Sequence, residues 1–146
     1  MIRNRSVPVD SLLPHIVYRS VADALLWLTT VFGFVEHYRY GEAGGTISGA
    51  QLCLGNAWIM IHGIRAGSST PRELGARTQM LSIFLDDVAS HYDRTTSGGA
   101  KIVEELHETA YGELQYGVED LDGHRWIFSQ HVRDLSPSEW GATIKK

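Results

Sequence analysis

Residues 111–134 read YGELQYGVEDLDGHRWIFSQHVRD, and this stretch decides the fold. Leu114, Tyr116 and Val118 alternate with polar residues, which is the pattern of a half-buried strand. The segment 120–123, Asp-Leu-Asp-Gly, supplies turn chemistry, because Asp side chains cap their own backbone and Gly adopts a positive φ at little cost. The residues after the turn are rich in β-formers and predict a returning strand, so the whole stretch predicts a β-hairpin.

The rest of the chain repeats one order of elements, and the hairpin completes the second copy. The first half predicts, in order, a strand, a helix and three strands over residues 15–19, 21–32, 34–40, 47–54 and 57–61. The second half predicts a strand over 80–85, a helix that ends near 97, a strand over 101–107 and then the hairpin. Because residues 19–22 (Arg-Ser-Val-Ala) and 86–89 (Asp-Asp-Val-Ala) occupy the same place in the two halves, an internal duplication of a βαβββ unit is the simplest organisation.

Length and composition predict one soluble globular domain. The 146 residues are 43% hydrophobic and 21% charged, which is ordinary for such a domain. We expect a single domain over 1–146, divided into module one (about 14–63), a linker loop (about 64–78), module two (about 79–132) and a C-terminal tail (133–146). Residues 1–13 are expected to form an extended lead-in.

The charge and hydropathy patterns exclude two classes of partner. The net charge is −4 and no cluster of Lys and Arg is present, which argues against a nucleic-acid surface. No segment has the length and apolarity of a signal-peptide core or a membrane span. We therefore expect a cytoplasmic protein that binds neither nucleic acid nor membrane.

The chain resembles the vicinal oxygen chelate superfamily, which holds glyoxalase I, extradiol dioxygenases and bleomycin-resistance proteins, and its ending is most similar to the uncharacterised glyoxalase-like branch. The resemblance extends from His15 to His131 and is carried by the paired βαβββ order, by PHIVYRSVADALLWLTTVFGF (14–34) and by YGELQYGVEDLDGHRW (111–126). It implies an α+β fold in which two modules form a half-open, eight-stranded barrel-like sheet around a cavity, with the helices outside. It also implies a homodimer.

The resemblance provides a test for a metal cofactor. Metalloenzymes of this superfamily ligate one divalent ion with four side chains, usually His, Gln or Glu, one each from the first and fourth strands of both modules. By position these ligands fall on His15, Met60, Met80 and Ile127, so only His15 matches. Since thioether and alkyl side chains do not replace carboxylate or imidazole ligands of such an ion, we predict no metal cofactor. Two alternatives stay open: one divalent ion held by His15 in a shifted register with His62, Gln79 or Glu side chains, and a novel three-His site of His15, His62 and His131.

Strand alternation predicts which side chains line the cavity. The predicted ligand-binding set mixes aromatic, thioether, hydroxyl and imidazole groups: His15, Arg19, Trp58, Met60, His62, Met80, Phe84, Ile127, Ser129 and His131. The opposite faces of the same strands are almost wholly apolar and should pack under the helices. Trp58 and Phe84 either stack on a ligand or simply fill the barrel. Arg19 either pairs with an internal acid or meets an anionic group of the ligand, because an unpaired buried guanidinium is too costly. His91 is expected to be solvated on a polar helix.

Two functions from different classes follow from this resemblance. The leading hypothesis is a metal-free small-molecule-binding protein, similar to drug-sequestering bleomycin-resistance proteins, that serves drug or metabolite sequestration and hence antibiotic resistance. The alternative is a metal-dependent lyase, isomerase or dioxygenase similar to glyoxalase I, in which the ion polarises a substrate oxygen. A metal-independent enzyme with His15 or His131 as general base, and a duplicated scaffold with a filled cavity, are further readings. These hypotheses include both enzymes and binding proteins, so the sequence does not decide whether the chain is an enzyme.

Overall fold

A strand, a helix and three further strands occur twice along the chain in the computed structural model, which describes residues 12–146. The first repeat consists of β1 (His15–Tyr18), α1 (Val21–Trp27), β2 (Val35–Gly41), β3 (Ile47–Leu54) and β4 (Ala57–Gly63). A short helix α2 (Pro71–Leu74) follows. The second repeat consists of β5 (Leu81–Phe84), α3 (Val88–Ser97), β6 (Lys101–Glu108), β7 (Glu113–Glu119) and β8 (Arg125–His131). The predicted duplication is confirmed, whereas the lead-in over 1–13 lies outside the described residues except for its last two positions.

Each repeat forms a four-stranded sheet of the same topology. The strand orders are β1-β4-β3-β2 and β5-β8-β7-β6. In both sheets the first and fourth strands of the repeat pair in parallel, and the other neighbours are antiparallel. Over residues 12–146 the strands therefore form two separate four-stranded sheets of an α+β fold, without the continuous hydrogen bonding of a closed barrel.

Two compact units can be distinguished along the chain. The first contains residues up to Thr29 together with Gly33–Ser69, and the second contains Thr30–Phe32 together with Thr70–Lys146. Each unit has its own buried apolar core. No helix within residues 12–146 is long and apolar enough to cross a membrane.

In the first unit, α1 begins and ends as its sequence predicts. The Ser20 hydroxyl accepts a hydrogen bond from the Asp23 backbone N–H at 3.2 Å, which satisfies one of the free donors of the first turn. The helix continues as one wider π turn over Leu28–Phe32 and stops at Gly33, whose φ is 81°. Its apolar side packs on β3 and β4, where Leu52, Ile59 and Ile61 are buried.

An aromatic cluster forms the core of the second unit. Phe128 lies with its ring centroid 4.9 Å from that of Phe32 and 5.5 Å from that of Tyr116, and Trp126 stacks on it at 6.2 Å. These four rings are fully buried. Burial of large aromatic side chains contributes more to such a core than any single hydrogen bond, so this cluster fixes the orientation of β8.

His91 joins this core, and the prediction that it is solvated is wrong. Its Nε2 lies 2.7 Å from the Phe32 carbonyl oxygen and its Nδ1 lies 2.6 Å from the Tyr116 hydroxyl. Since a carbonyl can only accept, Nε2 carries the proton and Nδ1 accepts from the Tyr116 O–H. The polar helix thus places one imidazole inward, where both ring nitrogens are bonded.

The long connection between the repeats is more ordered than the sequence suggests. Thr70 is only 1% exposed, and its hydroxyl accepts from the Glu73 N–H to begin α2. The Arg72 N–H donates to the Asp122 carbonyl oxygen at 3.0 Å, which ties α2 to the hairpin turn. The second half of the predicted loop over 64–78 therefore belongs to the second unit.

Candidate ligand-binding site

The open face of each sheet, defined as the face that does not pack against its helix, carries most of the predicted ligand-binding residues. Along β8, Trp126 and Phe128 are buried in the core, while Ile127, Ser129 and His131 point to the opposite face. Along β4, Ile59 and Ile61 are likewise in the core. The alternation that the sequence predicts for β4 and β8 is therefore present.

A cavity of about 570 Å³ lies on the open face of the second sheet. Its walls are aromatic, thioether and alkyl groups, contributed by Met80, Phe84, Tyr111, Ile127 and Trp140. Its polar groups come from Ser82, Glu104, Glu113, Gln115 and Ser129. Four predicted residues, Met80, Phe84, Ile127 and Ser129, are thus brought together. Met80 and Phe84 are 60% and 64% exposed, so their side chains are available for contact.

The strand register explains how these residues meet. Across the sheet, Phe84 pairs with Ser129 and Ser129 with Gln115 in one row, while Ser82 pairs with Ile127 in the next. Gly117 lies opposite Ile127 and Glu104. A Cβ at Gly117 would lie only 3.0 Å from the Glu104 Cβ, so the missing side chain lets Glu104 lie close to the sheet.

Gln115 is the fixed polar group of the cavity. Its side-chain oxygen Oε1 accepts hydrogen bonds from the Tyr111 hydroxyl at 3.0 Å and the Ser129 hydroxyl at 3.4 Å. Its Nε2 donates to Glu104 Oε1 at 3.1 Å. Gln115 is 9% exposed, and these bonds set the orientation of its amide. The hydrogen bond from the fixed Gln115 amide therefore sets the orientation of the Glu104 carboxylate.

His131 stands beside the cavity and does not line it. Its Nδ1–H donates to Glu113 Oε1 at 3.2 Å and its Nε2–H donates to Asp134 Oδ1 at 2.6 Å. Both bonds need a protonated ring nitrogen, and the carboxylates of Asp134 and Glu113 raise the pKa of His131 above its ordinary value. His131 is therefore held as a cation by two acids, whereas the sequence suggested an inward-facing polar group.

Four predicted residues lie on the open face of the first sheet. His15 pairs with Met60 in the register of β1 and β4, and the rings of His15 and His62 have centroids 5.7 Å apart. The rings of Trp58 and His37 pack edge-on, with their centroids 5.2 Å apart. These residues belong to the first unit.

Arg19 belongs to neither of these two groups of residues. It is exposed and lines a separate depression of about 420 Å³ with Ser20, Thr46, Ser48 and Arg65 among its neighbours. The reason is that β1 ends at Tyr18, so strand alternation no longer sets the direction of the next side chain. The cost of a buried guanidinium, which made Arg19 conspicuous in the sequence, does not arise here.

The register also changes one of the family's metal-ligand positions. Ile127 pairs with Ser82, as Met60 pairs with His15, so the first-strand position of the second repeat is Ser82 and not Met80. The sequence already indicated this position. Ser82 follows His15 by the same number of residues as Val88, the first residue of α3, follows Val21, the first residue of α1.

The donor set at these four positions does not fit the family's divalent ion. Besides the imidazole of His15, the four positions carry a thioether, a hydroxyl and an alkyl group, whereas the family uses His, Gln or Glu side chains. Within residues 12–146, no group of three or more His, Cys, Asp or Glu side chains is arranged to hold a metal ion.

Sequence reasoning missed Tyr111, Trp140 and the two glutamates of the cavity. Trp140 lies in the tail that was expected to follow module two, in a single 3₁₀ turn (Pro137–Trp140) that places its ring 5.7 Å from that of Tyr111. The pattern Ser136-Pro137-Ser138-Glu139 is a capping box, and it could have predicted this ordered turn.

Comparisons with known proteins agree with this fold. The family model described as Glyoxalase/Bleomycin resistance protein/Dioxygenase superfamily matches residues 10–128. TioX from Micromonospora sp. ML1, a solved structure, is 31% identical, with a TM-score of 0.70 over 85% of this chain and 100% of that one. An uncharacterized protein of Mycobacterium bovis is 27% identical over 139 residues, 92% of this chain and 91% of that protein. The fosfomycin resistance protein FosX from Listeria monocytogenes shares the fold at 12% identity, with a TM-score of 0.62 over 90% of this chain and 98% of that one.

Proposed function

The chain belongs to the glyoxalase/bleomycin resistance protein/dioxygenase superfamily, and from this premise we propose that it is a metal-independent protein that binds a small, partly aromatic molecule. The observation that carries the proposal is the cavity of about 570 Å³ on the open face of the second sheet. Small-molecule sites typically have volumes of roughly 300–1,000 Å³, apolar walls and a few convergent polar groups. This cavity has the same combination, with Phe84, Tyr111 and Trp140 as aromatic walls and Gln115 as the oriented polar group.

Sequestration of a drug or metabolite is the role that fits such a site best. Binding alone needs no reactive group, and Gln115 joins Glu104, Tyr111 and Ser129 of the cavity in one hydrogen-bonded network. The donor set of His15, Met60, Ser82 and Ile127 further supports a function without a metal cofactor, since it contains no carboxylate or amide oxygen.

Tryptophan fluorescence tests the proposal directly. Trp140 lines the cavity, whereas Trp27 ends α1 in the first unit. Titration with small nitroaromatic compounds should quench part of the emission with saturation, before and after dialysis against EDTA. Trp140→Phe should remove the saturable quenching, and the matched control Trp27→Phe should retain it. Quenching that is linear for every compound, or that disappears with chelation, would contradict the proposal.

A metal-dependent lyase, isomerase or dioxygenase is the second candidate, favoured by one feature. His15 matches a ligand position of the family, and its ring centroid lies 5.7 Å from that of His62. Elemental analysis of the purified protein decides between the two candidates. One equivalent of a divalent metal, lost in both His15→Ala and His62→Ala, would support the enzyme. A substoichiometric metal content that is the same in the variants would reject it.

We also propose that the chain forms a homodimer and acts in the cytoplasm. The family supports this proposal, since its members are often dimers. Light scattering after size-exclusion chromatography should give twice the chain mass of 16.2 kDa, and a mass of one chain at micromolar concentration would contradict the dimer.

A further inference from the structure

The charge of the cavity on the open face of the second sheet points to the kind of molecule it takes. Two of the residues that line it, Glu104 and Glu113, carry carboxylates, and none is Lys or Arg. The sequence suggested an acidic or hydrogen-bonding ligand, because Arg19 was expected to face inward. Arg19 does not line this cavity and two glutamates do. The ligand is therefore expected to carry a positive charge instead of a negative one.

Both carboxylates are held in place by neighbouring side chains. Glu104 Oε1 accepts from the Gln115 amide at 3.1 Å and lies 3.1 Å from His107 Nε2, and the Glu104 side chain is 37% exposed. Glu113 Oε1 accepts from His131, while Glu113 Oε2 is shielded from solvent and has no hydrogen-bond partner among residues 12–146. Because Oε2 is shielded, Glu113 acts on a ligand in the cavity through its charge and not through a hydrogen bond to this oxygen.

The flanking histidines do not cancel the negative charge. His131 is shared between Glu113 and Asp134, and His107 contacts Glu104. Even with both imidazoles protonated, the carboxylates of Glu104, Glu113 and Asp134 leave an excess of negative charge.

The arginines near this face are bonded to other acids. Arg133 pairs with Glu108 at 2.7 Å. Arg77 and Arg125 both bind Glu119 Oε1, at 3.0 and 3.2 Å. Lys101 also binds Glu119, so three cations share one carboxylate there, and none of these four side chains lines the cavity.

We propose that the ligand is an organic cation, with a flat aromatic body and a protonated amine or amidine; this rests on the proposed binding function and specifies its ligand class. The aromatic body lies against Phe84, Tyr111 and Trp140, the nitrogen donates a charge-assisted hydrogen bond to Glu104, and the charge of Glu113 adds to the attraction. The rings of Tyr111 and Trp140 add attraction for a cation near their faces. An anionic analogue of the same shape is repelled by the two carboxylates, so the site discriminates by charge as well as by shape.

Calorimetric titration of the full chain with three matched probes tests this inference. The probes are 1-naphthylmethylamine, 1-naphthalenemethanol and 1-naphthoate, which share one ring system and differ in charge. We expect the amine to bind about tenfold more tightly than the alcohol, and the carboxylate to bind most weakly. Raising the salt concentration should reduce the preference, because the carboxylates are partly exposed.

Substitutions then assign the preference to the cavity. Glu104→Gln and Glu113→Gln should each lower the affinity for the amine while the affinity for the alcohol is retained, which also shows that the variant is folded. The matched control is Glu105→Gln, which changes the net charge equally on the same strand but removes an exposed acid that bonds Tyr92 on α3 and does not line the cavity.

The outcomes separate this inference from the proposed function. If the alcohol and the carboxylate bind as tightly as the amine, or if Glu105→Gln has the same effect as Glu104→Gln, the cationic ligand is rejected while small-molecule binding stands. If none of the three probes binds, the binding function itself is rejected, and the inference with it.

Discussion

At the residue scale, Asp120 organises the turn that the sequence made conspicuous. It is 3% exposed, and its Oδ1 accepts from the backbone N–H groups of Asp122 and His124, each at 3.0 Å. Its Oδ2 accepts from the indole N–H of Trp126 at 3.0 Å. One carboxylate therefore satisfies two turn donors and joins the turn to the aromatic core. A buried acid with this many donors is a structural element and not a reactive group.

Removal of this carboxylate should be costly. Asp120→Ala leaves three buried or half-buried donors without an acceptor, and we expect the free energy of unfolding to fall by about 3 kcal/mol. Asp120→Asn keeps one acceptor oxygen but presents an N–H₂ group to a donor, so it should lie between the wild type and Ala. Urea denaturation followed by circular dichroism measures both, with the exposed Asp93→Asn as control. A loss below about 1 kcal/mol for Asp120→Ala would mean that water replaces the carboxylate.

His91 should make stability depend on pH. Burial is the largest cause that lowers its pKa below the ordinary value near 6.5, so the folded state favours the neutral ring. The contribution of His91 is then fully present above the ordinary pKa and is lost as the pH falls from there through the lowered pKa of the folded state. His131, whose pKa is raised, acts in the opposite direction: its contribution is present below the ordinary pKa and is lost as the pH rises through the raised value.

The difference between wild type and His91→Gln isolates the effect of His91. Between pH 8 and pH 5 the wild type should lose more free energy of unfolding than the variant, in urea titrations at matched ionic strength. Gln retains one donor and one acceptor, so the variant should still fold. Parallel pH profiles for the two proteins would show that His91 titrates normally.

At the element scale, the connection between β6 and β7 controls how the second sheet ends. Gly112 has a φ of 88°, and a Cβ added there would lie 2.1 Å from the Arg133 carbonyl oxygen. The Gly112 carbonyl oxygen in turn accepts from the N–H groups of Val132 and Arg133. The turn before β7 and the segment after β8 are therefore in backbone contact, which holds Glu113 at the edge of the cavity.

A pair of alanine substitutions separates close contact from backbone strain. Gly112→Ala and Gly44→Ala both place Cβ at positive φ, but the added Cβ at Gly44 meets nothing within 4 Å. Both should lose about 1–2 kcal/mol from the left-handed conformation. Gly112→Ala should lose a further ~1–3 kcal/mol, because the backbone must move away from the new methyl group. Equal melting temperatures for the two variants would contradict the close contact.

At the scale of the whole molecule, two repeats of one topology present different chemistry on their open faces. The first sheet shows His15, Trp58, Met60 and His62, whereas the second shows a cavity with two carboxylates. The same fold with other ligand positions filled can host a metalloenzyme, so the fold alone does not specify the function. In this chain the side chains of the second repeat carry the proposal.

Metal removal should not change the stability of the molecule. If no ion belongs to the fold, dialysis against EDTA leaves the melting temperature in differential scanning calorimetry unchanged within about 1 °C, since no bound ligand is lost from the native state. A fall of several degrees that Zn²⁺ reverses in the wild type, but not in His15→Ala, would contradict this prediction.

The sequence by itself determined the elements, their duplication and the division of strand faces. These features depend on local periodicity and on turn and cap residues such as Ser20, Asp120 and Gly123, which act over a few positions. The tertiary structure decided which side chains meet. The pairing of Ser82 with Ile127, the anchoring of Gln115 and the place of Arg19 depend on strand register and strand ends, and a shift of one residue reverses the face of every side chain. In the sequence, the alternating polar residues Glu113 and Gln115 looked like a solvent-facing edge of the hairpin. In the structure, Tyr111, Ser129 and Trp140 line the same cavity, so this edge forms one of its walls.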